Sequence, residues 1–374
     1  MAPHTIRWGI LATGGIASKF TRDLLLDPTT RDVSDVKHEV AAIASSSSVD
    51  KAKQFITENK VPSSTVSYGS YEELVKDKNV DVIYVSTPHS HHFQNTMLCL
   101  NAGKHVLCEK PFTVNAEQTK ILAEVAKQRK LFLMEAVWTR FFPLSIQIRD
   151  LVSQGKLGKI HRVIADNSVG ADVENAFGTE HRMVNLDLAG GALLDLGIYS
   201  LTWVFQILYH LDPAAASKPA SVASSMSKYA KTGADESTSL IVTFPTATHG
   251  VATTSMRVAS HLDNHDTAGP AIRIQGTKGE IQIFGPAYRP TSYRVISKAD
   301  GDATSSVQNV ECKIPGQGMF WEADEVARCL RDGKIESTTM PLAESVAIMN
   351  VMDQARKQNE LVYPQWMEST EYKA

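Results

Sequence analysis

The stretch IRWGILATGGIASKF, residues 6–20, decides the fold. Residues 5–12 (TIRWGILA) read as a buried strand, a glycine turn follows, and apolar residues recur at helical spacing from Ile16 to Leu26. Strand, glycine turn and helix in that order make the phosphate-binding start of a doubly wound parallel sheet, with G-x-G-x-x-G/A falling on Ala12, Gly14 and Ala17. Gly14 lets a pyrophosphate approach the backbone, and the next helix offers free N–H groups and its positive dipole end. Thr13, Gly14, Gly15 and Ile16 are the candidate cofactor contacts here. Alanine at 12 replaces the first glycine of the fingerprint.

The same alternation continues outward. Strand patterns at 38–45, 64–68, 80–87, 104–110 and 131–136 are separated by helical patterns at 49–59, 70–77, 92–103 and 115–130. Ser70 three residues before Glu73 reads as a capping box, and Gly103 as a helix stop. Val/Ile/Leu-rich strands alternating with helices predict a parallel sheet covered on both faces. Beyond residue 140 the pattern changes. Helical stretches at 144–155 and 190–210 accompany strand-like runs at 159–170, 238–247, 249–260, 270–285 and 291–298, joined by short turns such as GTKG, and two helices follow at 319–334 and 342–358. This predicts a mostly antiparallel open sheet in an α/β domain, with domains at 1–140 and 141–374.

Composition narrows the class. With 43% hydrophobic and 21% charged residues over 374 positions, the chain is globular and long enough for two cores. A net charge of −3 without any Lys/Arg run gives nucleic acid no electrostatic hold. No apolar run approaches the ~20 residues that cross a bilayer, so no membrane is expected. The four cysteines form no C-x-x-C pair, which suits a reducing, cytoplasmic location.

Four constellations carry chemistry. At the end of the second strand Ser45, Ser46, Ser47 and Ser48 stand where an NAD site wants a carboxylate, with Lys51 and Lys53 behind them. Hydroxyls and cations suit a 2′-phosphate, so NADP is expected over NAD. The fourth strand ends in STPHSHH, 86–92; H-x-H-H is not a zinc spacing, and no metal is expected. Thr87 and Pro88 instead line the crevice at the strand ends, with His92 orienting the next helix beside it, and all three are candidate cofactor contacts. The fifth strand ends in KHVLCEKPF, 104–112, which puts Glu109 and Lys110 at the ligand edge of the sheet. In AGGALLDLGIYSL, 189–201, Asp195 and Tyr199 interrupt an apolar stripe four residues apart. A nearby ammonium favours a phenolate, so Lys110, Asp195 and Tyr199 form an acid–base set.

GILATGGIA, VDVIYVSTPHSHH, GKHVLCEKPFT, FLMEAVWTRFFP and GGALLDLGIY, in this order, resemble the Gfo/Idh/MocA oxidoreductase family, and within it the branch of fungal NADP-dependent D-xylose 1-dehydrogenases and dimeric dihydrodiol dehydrogenases. The resemblance implies a Rossmann domain, an α/β domain whose open sheet forms a homo-oligomer, and catalysis by Lys110, Tyr199 and Asp195. It implies that Trp138 and Arg140 line the nicotinamide and substrate site, with His181 and Arg182 as sugar contacts. The activity it implies is NADP-dependent oxidation of an aldopyranose at C1 to the lactone. Oxidation of trans-dihydrodiols with reduction of dicarbonyls, and a non-catalytic NADP-binding regulator, are the alternatives.

Overall fold

A computed structural model describes residues 2–218, 220–262, 268–298 and 305–373. The chain divides into two compact units: Met1–Phe141 with Ile314–Ser345 and Trp366–Ala374, and Phe142–Lys313 with Val346–Gln365.

In the first unit the elements run β1 (His4–Leu11), α1 (Gly15–Leu24), β2 (Val36–Ala44), α2 (Val49–Glu58), β3 (Val66–Tyr68), α3 (Tyr71–Leu74), β4 (Val82–Val85), α4 (His92–Asn101), β5 (His105–Glu109), α5 (Ala116–Arg129) and β6 (Leu133–Ala136). The strands form one parallel sheet in the order β3-β2-β1-β4-β5-β6. The order reverses direction between β1 and β4, which makes the C-terminal ends of those strands the ligand crevice. Every residue of β4 is buried, as a strand covered on both faces requires. Ser70 accepts the Glu73 N–H at 3.2 Å, while the Glu73 carboxylate reaches back to the Gly69 N–H at 3.1 Å.

The second unit contains α6 (Pro143–Ser153), β7 (Ile160–Asp166), α7 (Val173–Ala176), α8 (Ile198–Leu208), β8 (Ser221–Lys228), β9 (Asp235–Thr243), β10 (His249–Ser255), β11 (Ile272–Gly276), β12 (Gly279–Phe284), β13 (Ser292–Ser297) and β14 (Ser306–Glu311). Its eight-stranded sheet has the order β14-β13-β12-β11-β7-β10-β9-β8 and is antiparallel except where β10 lies parallel to β7. Helix α8 packs on β7 and β10. The segment Leu186–Leu208 that ends in α8 has 23 residues and contains an 18-residue window of mean hydropathy 1.4, so by composition a membrane-length apolar stretch does exist; 94% of that window is buried, which makes it the core of this unit.

Two segments that the sequence patterns leave with the second domain pack in the first unit. In α9 (Phe320–Arg331), Phe320, Ala323, Val326 and Ala327 are buried. Asp324 on the same helix pairs with Arg31 at 2.8 Å and His38 at 2.9 Å, all three side chains at 0% exposure. Amphipathic spacing shows that α9 has a buried face without showing which sheet receives it.

Candidate active site

The crevice of the first unit begins at Ala12, whose φ of 86° is the conformation that the missing fingerprint glycine would adopt without strain. Gly14 caps α1 with no side chain on the first N–H groups, and a Cβ built on Gly14 or Gly15 would meet no atom within 4 Å. Thr13 and Ile16 flank this opening half-buried. Uncapped N–H groups facing open space at a helix start fit a pyrophosphate.

At the end of β2, Ser45 is buried and its Oγ lies 3.4 Å from the Ser47 N–H, while Ser46 and Ser47 are exposed. Ser48 is committed as the cap of α2, accepting the Asp50 N–H at 3.1 Å. Asp50 in turn is held by Lys53 at 3.2 Å. Two exposed hydroxyls with no carboxylate between them fit a ribose 2′-phosphate.

Thr87 is buried and Pro88 exposed at the end of β4. His92, the first residue of α4, is 0% exposed, so it has no surface to offer a cofactor. Its ring nitrogens lie 2.9 Å from the Thr87 carbonyl oxygen and 2.8 Å from that of Pro111, tying the β4 and β5 loops together. Burial, reinforced by His89, pushes its pKa down to about 3, while the two carbonyl contacts pull the other way. The expected cofactor contact is thus a loop brace.

Lys110 is half-buried at the end of β5, and its N–H donates to Glu109 at 3.2 Å. Glu109, 5% exposed, also accepts the Tyr84 hydroxyl. One residue past the cis Lys110–Pro111 bond, the Phe112 N–H donates to Glu135 at 3.0 Å, and the second Glu135 oxygen accepts the Ser345 hydroxyl at 2.6 Å. Burial pushes the Glu135 carboxyl up to about 7. Tyr84 and Glu135 are absent from the sequence-based reading, although a glutamate inside the apolar run LFLMEA is a signal of buried polar structure. Trp138 is 8% exposed. Arg140 is fully buried and grips Glu344 with both terminal nitrogens, which makes its guanidinium part of the core of this unit.

The other candidates belong to the second unit. Leu193–Gly197 is one turn of π-helix running directly into α8, so Asp195 sits in the widened turn and Tyr199 in the regular helix. Single π turns recur at functional sites because they re-aim side chains. Asp195 is 5% exposed and accepts from the largely exposed Arg182 at 3.1 Å. Tyr199 is 7% exposed, its ring 5.8 Å from that of Tyr288. His181 is exposed, stacks on Phe177 at 4.6 Å, and accepts the Met183 N–H at 3.2 Å. The structure thus brings Asp195, Arg182 and Tyr199 into one unit and sets Glu109 and Lys110 in the other.

A six-stranded doubly wound sheet with an open, uncapped glycine turn defines a dinucleotide-binding protein. Residues 6–137 match the "Oxidoreductase family, NAD-binding Rossmann fold" model, and residues 145–282 match the "GFO/IDH/MocA C-terminal domain" model. The chain belongs to the Gfo/Idh/MocA oxidoreductase family. It is 53% identical to D-xylose 1-dehydrogenase (NADP(+)) of Hypocrea jecorina, covering 99% of this chain and 96% of that protein. It is 37% identical to trans-1,2-dihydrobenzene-1,2-diol dehydrogenase of Sus scrofa, over 96% and 98%. Levoglucosan dehydrogenase in complex with NADH and levoglucosan shares the fold, with a TM-score of 0.80 at 16% identity over 96% and 99% of the two chains.

Proposed function

We propose that this chain is an NADP-dependent aldose 1-dehydrogenase that oxidises a pyranose, D-xylose foremost, at C1 to the lactone. The observation that carries this reading is the 53% identity with D-xylose 1-dehydrogenase (NADP(+)) across nearly the whole of both chains. The exposed hydroxyls of Ser46 and Ser47 support the choice of NADP over NAD. When bound, NADP supplies the hydride acceptor. Thr13, Gly14, Gly15 and Ile16 hold its pyrophosphate, Ser45, Ser46 and Ser47 its ribose phosphate, and Thr87, Pro88, Glu109 and Trp138 the nicotinamide end.

Tyr199 takes the proton of the C1 hydroxyl as general base, and Lys110 polarises the same oxygen and favours the phenolate. Asp195 orients Tyr199 and the sugar, and Arg182 steadies Asp195 through the ion pair at 3.1 Å. The same proposal assigns the enzyme to the cytoplasm, supported by four cysteines that are all free. It also makes the enzyme a homo-oligomer through the eight-stranded sheet, supported by exposed Ile241 on β9 and Val307 on β14.

Initial rates with D-xylose, D-glucose and a trans-dihydrodiol, each with NADP and with NAD, test the reading. The highest kcat/KM is expected for D-xylose with NADP. A dihydrodiol turned over faster than any aldose favours the second reading, which the 37% identical dihydrodiol dehydrogenase motivates.

A further inference from the structure

The helix that carries Asp195 and Tyr199 starts against a buried carboxylate from a distant strand. Asp235, the first residue of β9, is 0% exposed. Its Oδ2 accepts the Leu193 N–H at 2.6 Å and the Thr238 hydroxyl at 2.9 Å. Leu193 opens the π turn, and Ala192 before it supplies no side-chain cap. Asp235 therefore does from outside what a capping residue does within a helix: it accepts an orphan N–H and sets a negative charge at the positive end of the dipole.

Of the two glycines of AGGALLD, Gly191 makes room for this contact and Gly190 for the preceding loop. A Cβ on Gly191, whose φ is 140°, would lie 2.0 Å from Asp235 Oδ1, and one on Gly190 would lie 2.7 Å from the Arg182 carbonyl oxygen. Further along the turn, the Leu196 carbonyl accepts from Asn167 at 3.0 Å, and the Ser200 hydroxyl donates to the Thr253 carbonyl at 2.7 Å. The π turn is thus held at its start by Asp235 and farther along by Asn167, and Asp195 lies between these two anchors.

We propose that Asp235 is a positioning residue for the dehydrogenase reaction: by anchoring the Leu193 N–H it fixes the register of the π turn and so the aim of Asp195 and Tyr199. This rests on the reading that Tyr199 and Asp195 perform the proton transfer. Burial pushes the Asp235 carboxyl up to about 6 against the pull of its two donors, which agrees with a carboxyl kept in the core for its contacts. Proton transfer depends steeply on geometry, and a displacement of about 1 Å can lower a rate by ~100-fold.

The test compares Asp235→Ala, Asp235→Asn, Thr238→Val and Tyr199→Phe in the full-length enzyme, by steady-state kinetics with D-xylose and by NADPH fluorescence titration. Asp235→Ala is expected to lower kcat by about tenfold or more and to leave NADPH affinity within about twofold. Asp235→Asn keeps an oxygen for the Leu193 N–H and is expected to recover most of the lost kcat; that rescue separates positioning from bulk stability. Thr238→Val, which removes the hydroxyl that holds the Asp235 Oδ2 at the Leu193 N–H, stands in if Asp235→Ala does not fold, with kcat expected to fall about threefold. An Asp235→Ala enzyme with kcat within twofold of wild type overturns the proposal, as does an unchanged Thr238→Val where that variant stands in. Tyr199→Phe separates the two levels: an active Tyr199→Phe ends the acid–base reading and this inference with it. An inactive Tyr199→Phe beside a normal Asp235→Ala ends only this inference.

Discussion

Arg140 and Glu344 stand 204 positions apart and meet as a two-pronged ion pair at 2.5 and 2.8 Å, with side chains 0% and 1% exposed. Such a pair repays its desolvation only through its geometry, so removing one partner strands the other charge in the core.

Glu344→Gln is accordingly expected to destabilise the protein by about 3–5 kcal/mol, read as a lower urea midpoint. The double change Arg140→Met, Glu344→Met is expected to recover most of that loss and to retain NADPH affinity. Lost affinity in a stable double variant would instead make Arg140 a cofactor ligand.

Glu135 gives a signed pH dependence. Its folded pKa, raised to about 7 by burial, exceeds its ordinary value of 4.5, so the folded state holds a proton that the unfolded state has released. Stability therefore falls as pH rises from about 4.5 to about 7, by an amount on the order of 3 kcal/mol, and is flat in this group outside that window. Glu135→Gln is expected to flatten the slope of unfolding free energy against pH between 5 and 7. An unaltered slope assigns the Phe112 and Ser345 contacts to an ionised carboxylate.

Much of the architecture was legible because parallel sheets write themselves locally: strand, turn and helix each carry their own period, and all six strands of the first sheet announce themselves in order. The glycine turn, the serine run and the ends of β4 and β5 were legible for the same reason. What escaped depends on partners far away in sequence. Nothing around Arg140 foretells Glu344, nothing in STPHSHH foretells that His92 is sealed between two carbonyls, and α9 shows an apolar face without an address. Asp195 and Tyr199 at four-residue spacing imply a regular helix; the π turn that contains Asp195 meets Asp235 and Asn167, contacts that no local pattern encodes.

Ala12 carries the strain that a fingerprint glycine would avoid. With φ at 86°, Ala12→Gly is expected to stabilise the fold by about 1 kcal/mol and to leave NADP affinity intact or improved. Thermal melts with and without NADP check both; destabilisation would mean that the methyl group makes contacts worth more than the strain.

Lys110→Met keeps the length and apolar stem of the side chain and removes only the ammonium. Because the Lys110 N–H to Glu109 contact at 3.2 Å is a backbone one, the loop is expected to keep its shape. NADPH titration should then be near normal while kcat with D-xylose falls by about a thousandfold. Turnover within tenfold of wild type removes Lys110 from the reaction.

Ser46 is the most direct place to test the cofactor preference. It is exposed at the end of β2, and the nearest carboxylate along the chain, Asp50, is already paired with Lys53. A carboxylate placed there by Ser46→Asp would lie beside a 2′-phosphate and repel it. Two like charges about 4 Å apart at a protein surface interact by ~1–4 kcal/mol between the water and surface limits, which is roughly fivefold to several-hundredfold in affinity. The same carboxylate can accept hydrogen bonds from the ribose hydroxyls of NAD. Ser46→Asp is therefore expected to lower kcat/KM for NADP by about fivefold or more while raising or sparing that for NAD. If both cofactors lose equally, Ser46 is only part of the loop's framework, and the phosphate preference has to come from Ser47 or from the lysines of α2.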